Sequence, residues 1–272
     1  MKLLSLYNIK GGVGKTALTT LIAYRLSEQG KKVLCIDADL QANLTQVLYK
    51  INHQDPTIVK ALKEGAKADE IIIKSPNPEY PNLDLIPGDI ETCLLTEYLA
   101  LQTAREKTVA KWLRKNIERL SEYDYIFVDL SPSIELHNRC WLYCLDSMLL
   151  VLKHGDVHSV RGAELLNQIY KKDMEELELD DDCQRRVLVN GYKNTKEDMM
   201  KLFDQTVAKY PFVGSNLLTS KIAQKALISK SANVKKIGLS LMKRNKENQK
   251  TLKQIDELIS ELSKLTGMTQ YH

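Results

Sequence analysis

The fold of the 272-residue chain is indicated by one segment near its start, Lys10-Gly-Gly-Val-Gly-Lys-Thr16. An apolar run, Leu3–Ile9, stands directly before it, and a segment with helical periodicity, Lys15–Gln29, continues from it. Glycines between a strand and a helix let backbone N–H groups turn toward phosphate oxygens, and the start of the helix adds positive potential there. The order of strand, glycine-rich turn and helix therefore predicts a site for the phosphates of a nucleotide.

Short apolar runs alternate with helical segments along the rest of the chain. Several of these runs are continuously apolar, which is typical of parallel strands covered on both faces. The predicted strands are Leu3–Ile9, Lys32–Ile36, Leu83–Ile86, Tyr125–Leu130, Met148–Leu152 and Arg186–Asn190. The predicted helices are Lys15–Gln29, Ile90–Leu101, Glu106–Leu120, Val160–Tyr170, Lys196–Lys209 and Lys246–Leu265. This alternation predicts an α/β fold in which a doubly wound, mostly parallel sheet is flanked by helices.

The composition is that of a folded protein, because 43% hydrophobic and 27% charged residues exclude a disordered chain. No apolar run reaches the length of a membrane span, and the first residues lack the apolar core of a signal peptide. The five cysteines are odd in number and form no CxxC pair, which favours reduced thiols over disulfides. We expect a cytoplasmic protein with a single domain over residues 1–272.

Charge is distributed unevenly along the chain. The net charge is +4, yet the segment from Lys221 to Lys253 holds ten basic residues and one acidic residue. The remainder holds 29 basic and 34 acidic residues, a net charge of −5. A basic block on an acidic body indicates a polyanionic partner.

The heptapeptide at residues 10–16 resembles the deviant Walker A motif of the ParA/MinD family, whose hallmark is the extra lysine that matches Lys10. Val33–Asn43, which contains Asp-x-Asp at the end of a predicted strand, is similar to the second family motif. Tyr123–Ser133 resembles the Walker B strand and switch, with Ser131 in place of the family's first proline. Val187–Asn190 falls where the family places a strand whose end approaches the adenine.

The resemblance implies a Mg²⁺-dependent ATPase of the ParA/Soj type, in which a homodimer sandwiches two ATP molecules. The residues that it implies for the nucleotide are Lys10, Gly11, Gly12, Val13, Gly14, Lys15, Thr16, Ala17 and Asn190. The residues that it implies for Mg²⁺ are Thr16, Asp37 and Asp129. The implied catalytic residues are Lys10, Lys15, Asp37 and Asp39, with Asp39 positioning the attacking water and Asp37 supporting the metal. Lys10 would reach the phosphates of the partner subunit, so hydrolysis would loosen the dimer.

The basic block lies where ParA-type proteins carry DNA-contacting residues, in a C-terminal region (about 217–265) predicted to be helical. The candidate DNA contacts are Lys221, Lys225, Lys230, Lys235, Lys236, Lys243, Arg244 and Lys246. Because the phosphate loop begins at residue 10, we expect no helix-turn-helix domain ahead of it, and therefore non-specific contacts to the phosphates of double-stranded DNA. A dimer doubles these contacts, so the ATP-bound dimer would retain DNA and the monomer would release it. The resemblance also implies association with the nucleoid and a ParB-like centromere-binding partner, with which the protein would segregate plasmid or chromosomal DNA.

Three other functions share parts of this pattern. A MinD-like membrane-positioning ATPase would end in a basic amphipathic helix, whereas Ser263–His272 has little amphipathic character, so we expect no stable membrane association. A reductase similar to the nitrogenase iron protein would need cluster ligands, and Cys93 and Cys140 lack the glycine-flanked setting of such ligands. A DNA-binding adaptor without catalysis would not need the lysines and aspartates named above.

Overall fold

The computed structural model describes residues 1–52, 54–193, 198–223 and 246–265. In these residues seven strands form one sheet in the order β3-β2-β4-β1-β5-β6-β7, and each neighbouring pair is parallel. The strands are β1 Lys2–Tyr7, β2 Val33–Ala38, β3 Leu83–Ile86, β4 Tyr125–Leu130, β5 Ser147–Lys153, β6 Gln184–Tyr192 and β7 Leu217–Ala223. The helices are α1 Lys15–Glu28, α2 Asn43–Leu48, α3 Ile58–Glu64, α4 Ala68–Ile71, α5 Leu95–Ala100, α6 Thr108–Lys115, α7 Ile117–Leu120, α8 Leu136–Leu142, α9 Val157–Glu176, α10 Asp198–Lys209, α11 Pro211–Ser215 and α12 Lys246–Leu265.

The central strands are buried on both faces, which explains their continuous hydrophobicity. All residues of β2 and β4 are buried. Side chains on one face of the sheet pack in a cluster with α1, α2 and α12, and those on the other face pack with α3, α5, α6, α8 and α9. The prediction of an α/β sheet covered by helices on both sides is confirmed.

Helix α12 is fastened both to α1 and to the edge strand β7. Arg25 of α1 donates two hydrogen bonds to the Asp256 carboxylate, at 2.7 and 2.8 Å. The Glu261 carboxylate accepts from the backbone N–H groups of Thr219 and Ser220, at 2.8 and 2.9 Å. Backbone groups at a sheet edge would otherwise be open to pairing with another chain, so α12 protects this edge.

The prediction of a helical region over about 217–265 is wrong at its start, because Leu217–Ala223 form strand β7. Leu218 and Ile222 are buried beneath α12, and β7 pairs with β6, so tertiary packing decides the conformation here. The predicted helix Ile90–Leu101 is also interrupted, since a 3₁₀ turn over Ile90–Leu94 precedes α5. The predicted helix Glu106–Leu120 likewise consists of a 3₁₀ turn, α6 and α7.

Candidate functional site

The phosphate loop connects the carboxyl end of β1 to the first turn of α1. Gly12 and Gly14 have φ angles of 73° and 96°, a left-handed conformation that favours glycine. Gly14 is the N-cap of α1, and no described side chain caps this helix start. The first N–H groups of α1 are therefore available to an anion, as in other helix-terminal phosphate sites.

Asn190, near the carboxyl end of β6, packs against this loop. Its side-chain amide donates to the carbonyl of Val13 at 2.7 Å, and its Oδ1 accepts from the backbone N–H of Gly191 at 2.9 Å. A Cβ atom on Gly14 would lie 2.4 Å from the Asn190 Nδ2 atom. Only glycine at residue 14 lets the asparagine pack this closely against the loop.

The two lysines of the loop lie in different environments. Lys15 is buried, with 7% of its surface exposed, and its ammonium group donates to the carbonyl of Asn8 at 3.4 Å. Burial lowers the pKa of Lys15, while the nearby carboxylates of Asp129 and Asp39 oppose this shift. Lys10 is exposed, and its backbone N–H donates to the Asn8 side chain at 2.9 Å. Lys15 thus points into the site, whereas Lys10 remains available at its surface.

Two carboxylates lie side by side at the carboxyl ends of β2 and β4, because the parallel register pairs Asp37 with Asp129. The Thr16 hydroxyl, in the first turn of α1, donates to Oδ2 of Asp129 at 2.6 Å. Asp37 accepts from the backbone N–H groups of Thr45, at 2.7 Å, and Asp39, at 3.2 Å. Burial raises the pKa of Asp129 to about 8, and the neighbouring Asp37 adds to this shift. Burial also raises the pKa of Asp37 to about 7.

This group of oxygens fits a magnesium ion. Oδ1 of Asp129 is buried without a hydrogen-bond partner among the described residues, so it is free to bind a ligand directly or through water. The described residues contain no cluster of three or more His, Cys, Asp or Glu side chains that could hold a metal alone. Mg²⁺ does not need such a cluster, since it commonly binds one or two carboxylates together with water and substrate phosphates. Thr16, Asp129 and Asp37 are the groups that would hold it.

Asp39 lies just beyond β2 and is also buried, with 5% of its surface exposed. Its Oδ1 accepts from the backbone N–H of Gln41 at 3.0 Å. Asp39 contributes to the field at both Lys15 and Asp129, which places its carboxylate beside the same site.

The loop after β4, Ser131–Glu135, forms another wall of the site; we call it the switch loop. A Cβ atom on Gly11 would lie 3.6 Å from the Pro132 ring, so the two loops are in near contact. Tyr7 and Asn138 hold the switch loop from beneath, and both are fully buried. Neither residue belongs to a local motif, so the amino-acid sequence alone does not mark them as part of the site.

Comparison with known families agrees with this geometry. A family model described as an AAA domain matches residues 1–178. The chain belongs to this family. The cell division protein PomZ of Myxococcus xanthus is 32% identical to it over 160 residues, which cover 58% of the chain and 48% of PomZ. The sporulation initiation inhibitor protein Soj of Bacillus subtilis is 30% identical over 171 residues, which cover 62% of the chain and 64% of Soj.

The fold of this AAA-domain chain also matches solved structures. An ATP complex of a Cyanothece McdA variant superposes with a TM-score of 0.79 at 21% identity, over 100% of this chain and 98% of that one. The chain spans about half the length of the first curated relatives it matches. The resemblance of the sequence to the ParA/MinD family is confirmed by the family model and by the curated relatives, and the solved structure confirms the fold.

The AAA-domain fold brings most of the predicted site residues together. The phosphate loop Lys10–Ala17, the three aspartates Asp37, Asp39 and Asp129, and Asn190 all lie along one edge of the sheet, toward the carboxyl ends of β1, β2, β4 and β6. Ligands of open α/β sheets bind at this edge. The Asn190 amide group contacts the loop itself, and a contact with adenine remains a prediction.

The predicted DNA contacts of the AAA-domain chain lie mostly outside the described residues. Lys225, Lys230, Lys235, Lys236, Lys243 and Arg244 all fall between β7 and α12, in the part that is not described. Lys246 is the first residue of α12. Lys221 lies on β7, where it is exposed and its ammonium group stands 4.7 Å from the centre of the Tyr192 ring. In the described part of the chain, no helix has both the length and the hydrophobicity to cross a membrane.

Proposed function

We propose that this chain is a ParA-type partition ATPase, which binds and hydrolyses ATP with Mg²⁺ and moves or positions DNA. The observation that carries the proposal is an uncapped helix start beside the partly buried hydrogen bond from Thr16 to Asp129, at 2.6 Å. The helix start supplies N–H donors for phosphate, and the contact lies beside a free carboxylate oxygen suited to a cation. A site that accepts an anion and a divalent cation side by side fits a nucleotide–magnesium complex.

Each group of the site has a role in this proposal. The loop N–H groups and Lys15 bind the β- and γ-phosphates, and Thr16, Asp129 and Asp37 hold Mg²⁺, which neutralises phosphate charge when bound. Asp39 orients the attacking water. Phosphoryl transfer depends mainly on positioning and electrostatic stabilisation, so a buried carboxylate beside the lysine suffices and no strong base is needed.

Lys10 supports the dimer part of the proposal. Its side chain is exposed and makes no hydrogen bond or ion pair within the described residues. In a face-to-face dimer, such a lysine can pair with the phosphates bound by the partner subunit. Burying phosphate charge between subunits is tolerable only when cations pair with it, so loss of the γ-phosphate loosens the dimer.

The basic block supports the choice of DNA as the polyanionic partner. It begins on β7 at Lys221 and ends on α12. Both elements pack in the same hydrophobic cluster as α1, the helix that starts at the phosphate loop. DNA is bound through its phosphates by the dimer, and a ParB-like protein at the cargo stimulates hydrolysis and release. The cargo is a plasmid or a chromosome, and the protein works in the cytoplasm at the nucleoid.

ATP hydrolysis tests the enzymatic part. We expect Mg²⁺-dependent release of phosphate from ATP by the wild type, and loss of it in Lys15→Ala and Asp39→Ala. Lys15→Ala should also lose nucleotide binding, whereas Asp39→Ala should retain it. Lys60→Ala, which removes an exposed lysine outside the site, is the matched control. A wild type with no hydrolysis, or an Asp39→Ala variant as active as Lys60→Ala, contradicts these roles.

DNA binding tests whether ATP controls dimer formation and the retention of DNA. Retention of a double-stranded DNA fragment is measured for wild type and Lys10→Ala, each with ATP and with ADP. We expect retention by the wild type with ATP only, together with a dimer in light scattering. Equal retention in all four conditions rules out control of DNA binding by ATP.

Charge reversal of Lys221, Lys243 and Arg244 tests the basic block. It should abolish DNA retention and leave ATP binding intact; unchanged retention removes the basic block from the proposal.

A further inference from the structure

A buried network of hydrogen bonds joins the strand that enters the phosphate loop to the switch loop. Tyr7, the last residue of β1, donates its phenol O–H to the carbonyl of Ser133. The Asn138 side-chain amide, on α8, donates to the carbonyls of Ser131 and Ser133 at 2.9 and 2.8 Å. The same amide lies 3.2 Å from the Tyr7 hydroxyl oxygen, which closes the network.

The network is built to hold the loop rather than to fill space. Tyr7 and Asn138 are fully buried, so water does not compete for their donors. The switch loop lies between Asp129, a proposed metal ligand at the end of β4, and α8, which begins at Leu136. Without Tyr7 and Asn138, the loop carbonyls would lose donors that come from two different elements.

The loop also lies against the site. The Pro132 ring lies 3.6 Å from where a Cβ atom on Gly11 of the phosphate loop would stand. At the other end of the switch loop, the Thr96 hydroxyl of α5 donates to the Glu135 carboxylate at 3.3 Å. Tyr7 is three residues before Lys10, and its hydroxyl donates to the Ser133 carbonyl. A single hydrogen bond therefore connects the strand that enters the phosphate loop to the switch loop. The position of the switch loop is thereby tied to that of the phosphate loop.

We propose that Tyr7 and Asn138 are positioning residues for ATP hydrolysis, which hold the switch loop in register with the phosphate loop. This inference rests on the proposed ATPase function. Neither side chain needs to touch the nucleotide. Catalysis of this kind is sensitive to displacements of about 1 Å, so a loosened switch loop lowers the turnover number while the phosphate-binding groups keep their affinity.

Tyr7→Phe is the informative substitution, because it removes one oxygen atom and preserves the ring. The Ser133 carbonyl keeps the Asn138 donor, so the variant is expected to fold. Tyr170→Phe is the matched control, since Tyr170 is also buried, lies on α9 and has its hydroxyl beside Cys183. Asn138→Ala is the second variant, which removes both of its carbonyl contacts. Thermal unfolding confirms that each variant is folded.

Two measurements decide the matter. With the loss of one buried hydrogen bond, kcat of Tyr7→Phe should fall about fivefold to tenfold, with KM for ATP unchanged relative to Tyr170→Phe. Hydrogen–deuterium exchange of the nucleotide-free protein should be faster at the backbone amides of Ser131, Ser133, Ile134 and Glu135 in Tyr7→Phe and Asn138→Ala. Unchanged kcat, or a raised KM with unchanged kcat, overturns the positioning role. Unchanged exchange in both variants also overturns the positioning role, and this measurement does not depend on ATPase activity. A wild type without ATPase activity refutes the proposed function instead.

Discussion

The contact between Gly14 and Asn190 allows a quantitative test of the phosphate loop. Gly14→Ala places a Cβ atom 2.4 Å from the Asn190 Nδ2 atom, which must then move. Moving it breaks the hydrogen bond to the Val13 carbonyl, now 2.7 Å long and buried. The substitution also forces alanine to adopt a φ of 96°, a conformation that only glycine adopts without strain.

These two costs can be separated. A left-handed backbone costs a residue with a Cβ atom about 1–2 kcal/mol. Leaving a buried carbonyl without its donor costs about 1–3 kcal/mol. We therefore expect Gly14→Ala to lower the free energy of unfolding by about 2–5 kcal/mol. Gly30, at the other end of α1, has a φ of 80° with no atom within 4 Å of an added Cβ, so Gly30→Ala should cost only the backbone part.

Equilibrium unfolding in urea of the nucleotide-free protein measures both variants. The double variant Gly14→Ala with Asn190→Ala relieves the clash, so its loss of stability should be smaller than the sum of the two single losses by about 1–3 kcal/mol. If Gly14→Ala and Gly30→Ala lose the same stability, or if the two losses at residues 14 and 190 simply add, the close contact does not exist in solution and the reasoning fails.

Two further predictions concern the buried acids and the edge strand. Burial raises the pKa of Asp129 to about 8 and that of Asp37 to about 7, so the folded protein keeps protons that an unfolded aspartate loses near about pH 4. The resulting contribution to the free energy of unfolding is fully present below about pH 4 and is lost as the pH rises through about 7 to 8. Asp129→Asn should therefore be more stable than wild type at about pH 8 without nucleotide or Mg²⁺, by about 1–3 kcal/mol, and the difference in urea unfolding should shrink toward about pH 5; a difference independent of pH contradicts the burial effect. Glu261→Ala removes the acceptor of two backbone N–H groups of β7 and should lower the free energy of unfolding by about 1–3 kcal/mol. Glu257→Ala, an exposed residue one turn away on α12, should change it by less than about 0.5 kcal/mol, and equal effects of the two substitutions contradict the edge contact.

The parts of the site that could be predicted from the sequence are those set by short-range rules. A glycine-rich turn between strand and helix predicts the phosphate loop wherever the rest of the chain goes. Asp37 and Asp129 each end a continuously apolar run, and parallel strands bring such ends to one edge of the sheet. The structure places Asp37 opposite Asp129 in the register of β2 and β4, and their role at a metal stays a prediction.

The parts that could not be predicted depend on partners far apart in the chain. The Tyr7 hydroxyl and the Asn138 amide meet across 131 residues, and Asn190 meets Val13 across 177. No periodicity marks such pairs in advance. Strand β7 was missed for a related reason, because Leu217–Ala223 is stabilised by β6 on one side and by α12 above it, both set by the tertiary fold.

The buried aspartates show why the site stands out from the rest of the core. Burying an ionised carboxylate is unfavourable unless a partner compensates it, and among the described residues Oδ1 of Asp129 has no such partner. Thr16 and Lys15 offset only part of this cost, as the raised pKa of Asp129 indicates. A core selected for stability alone would replace such an acid with an apolar residue. Local rules of packing are broken mainly where function requires it, so the unsatisfied oxygen at the end of β4 is itself an argument that this edge of the sheet binds a cation.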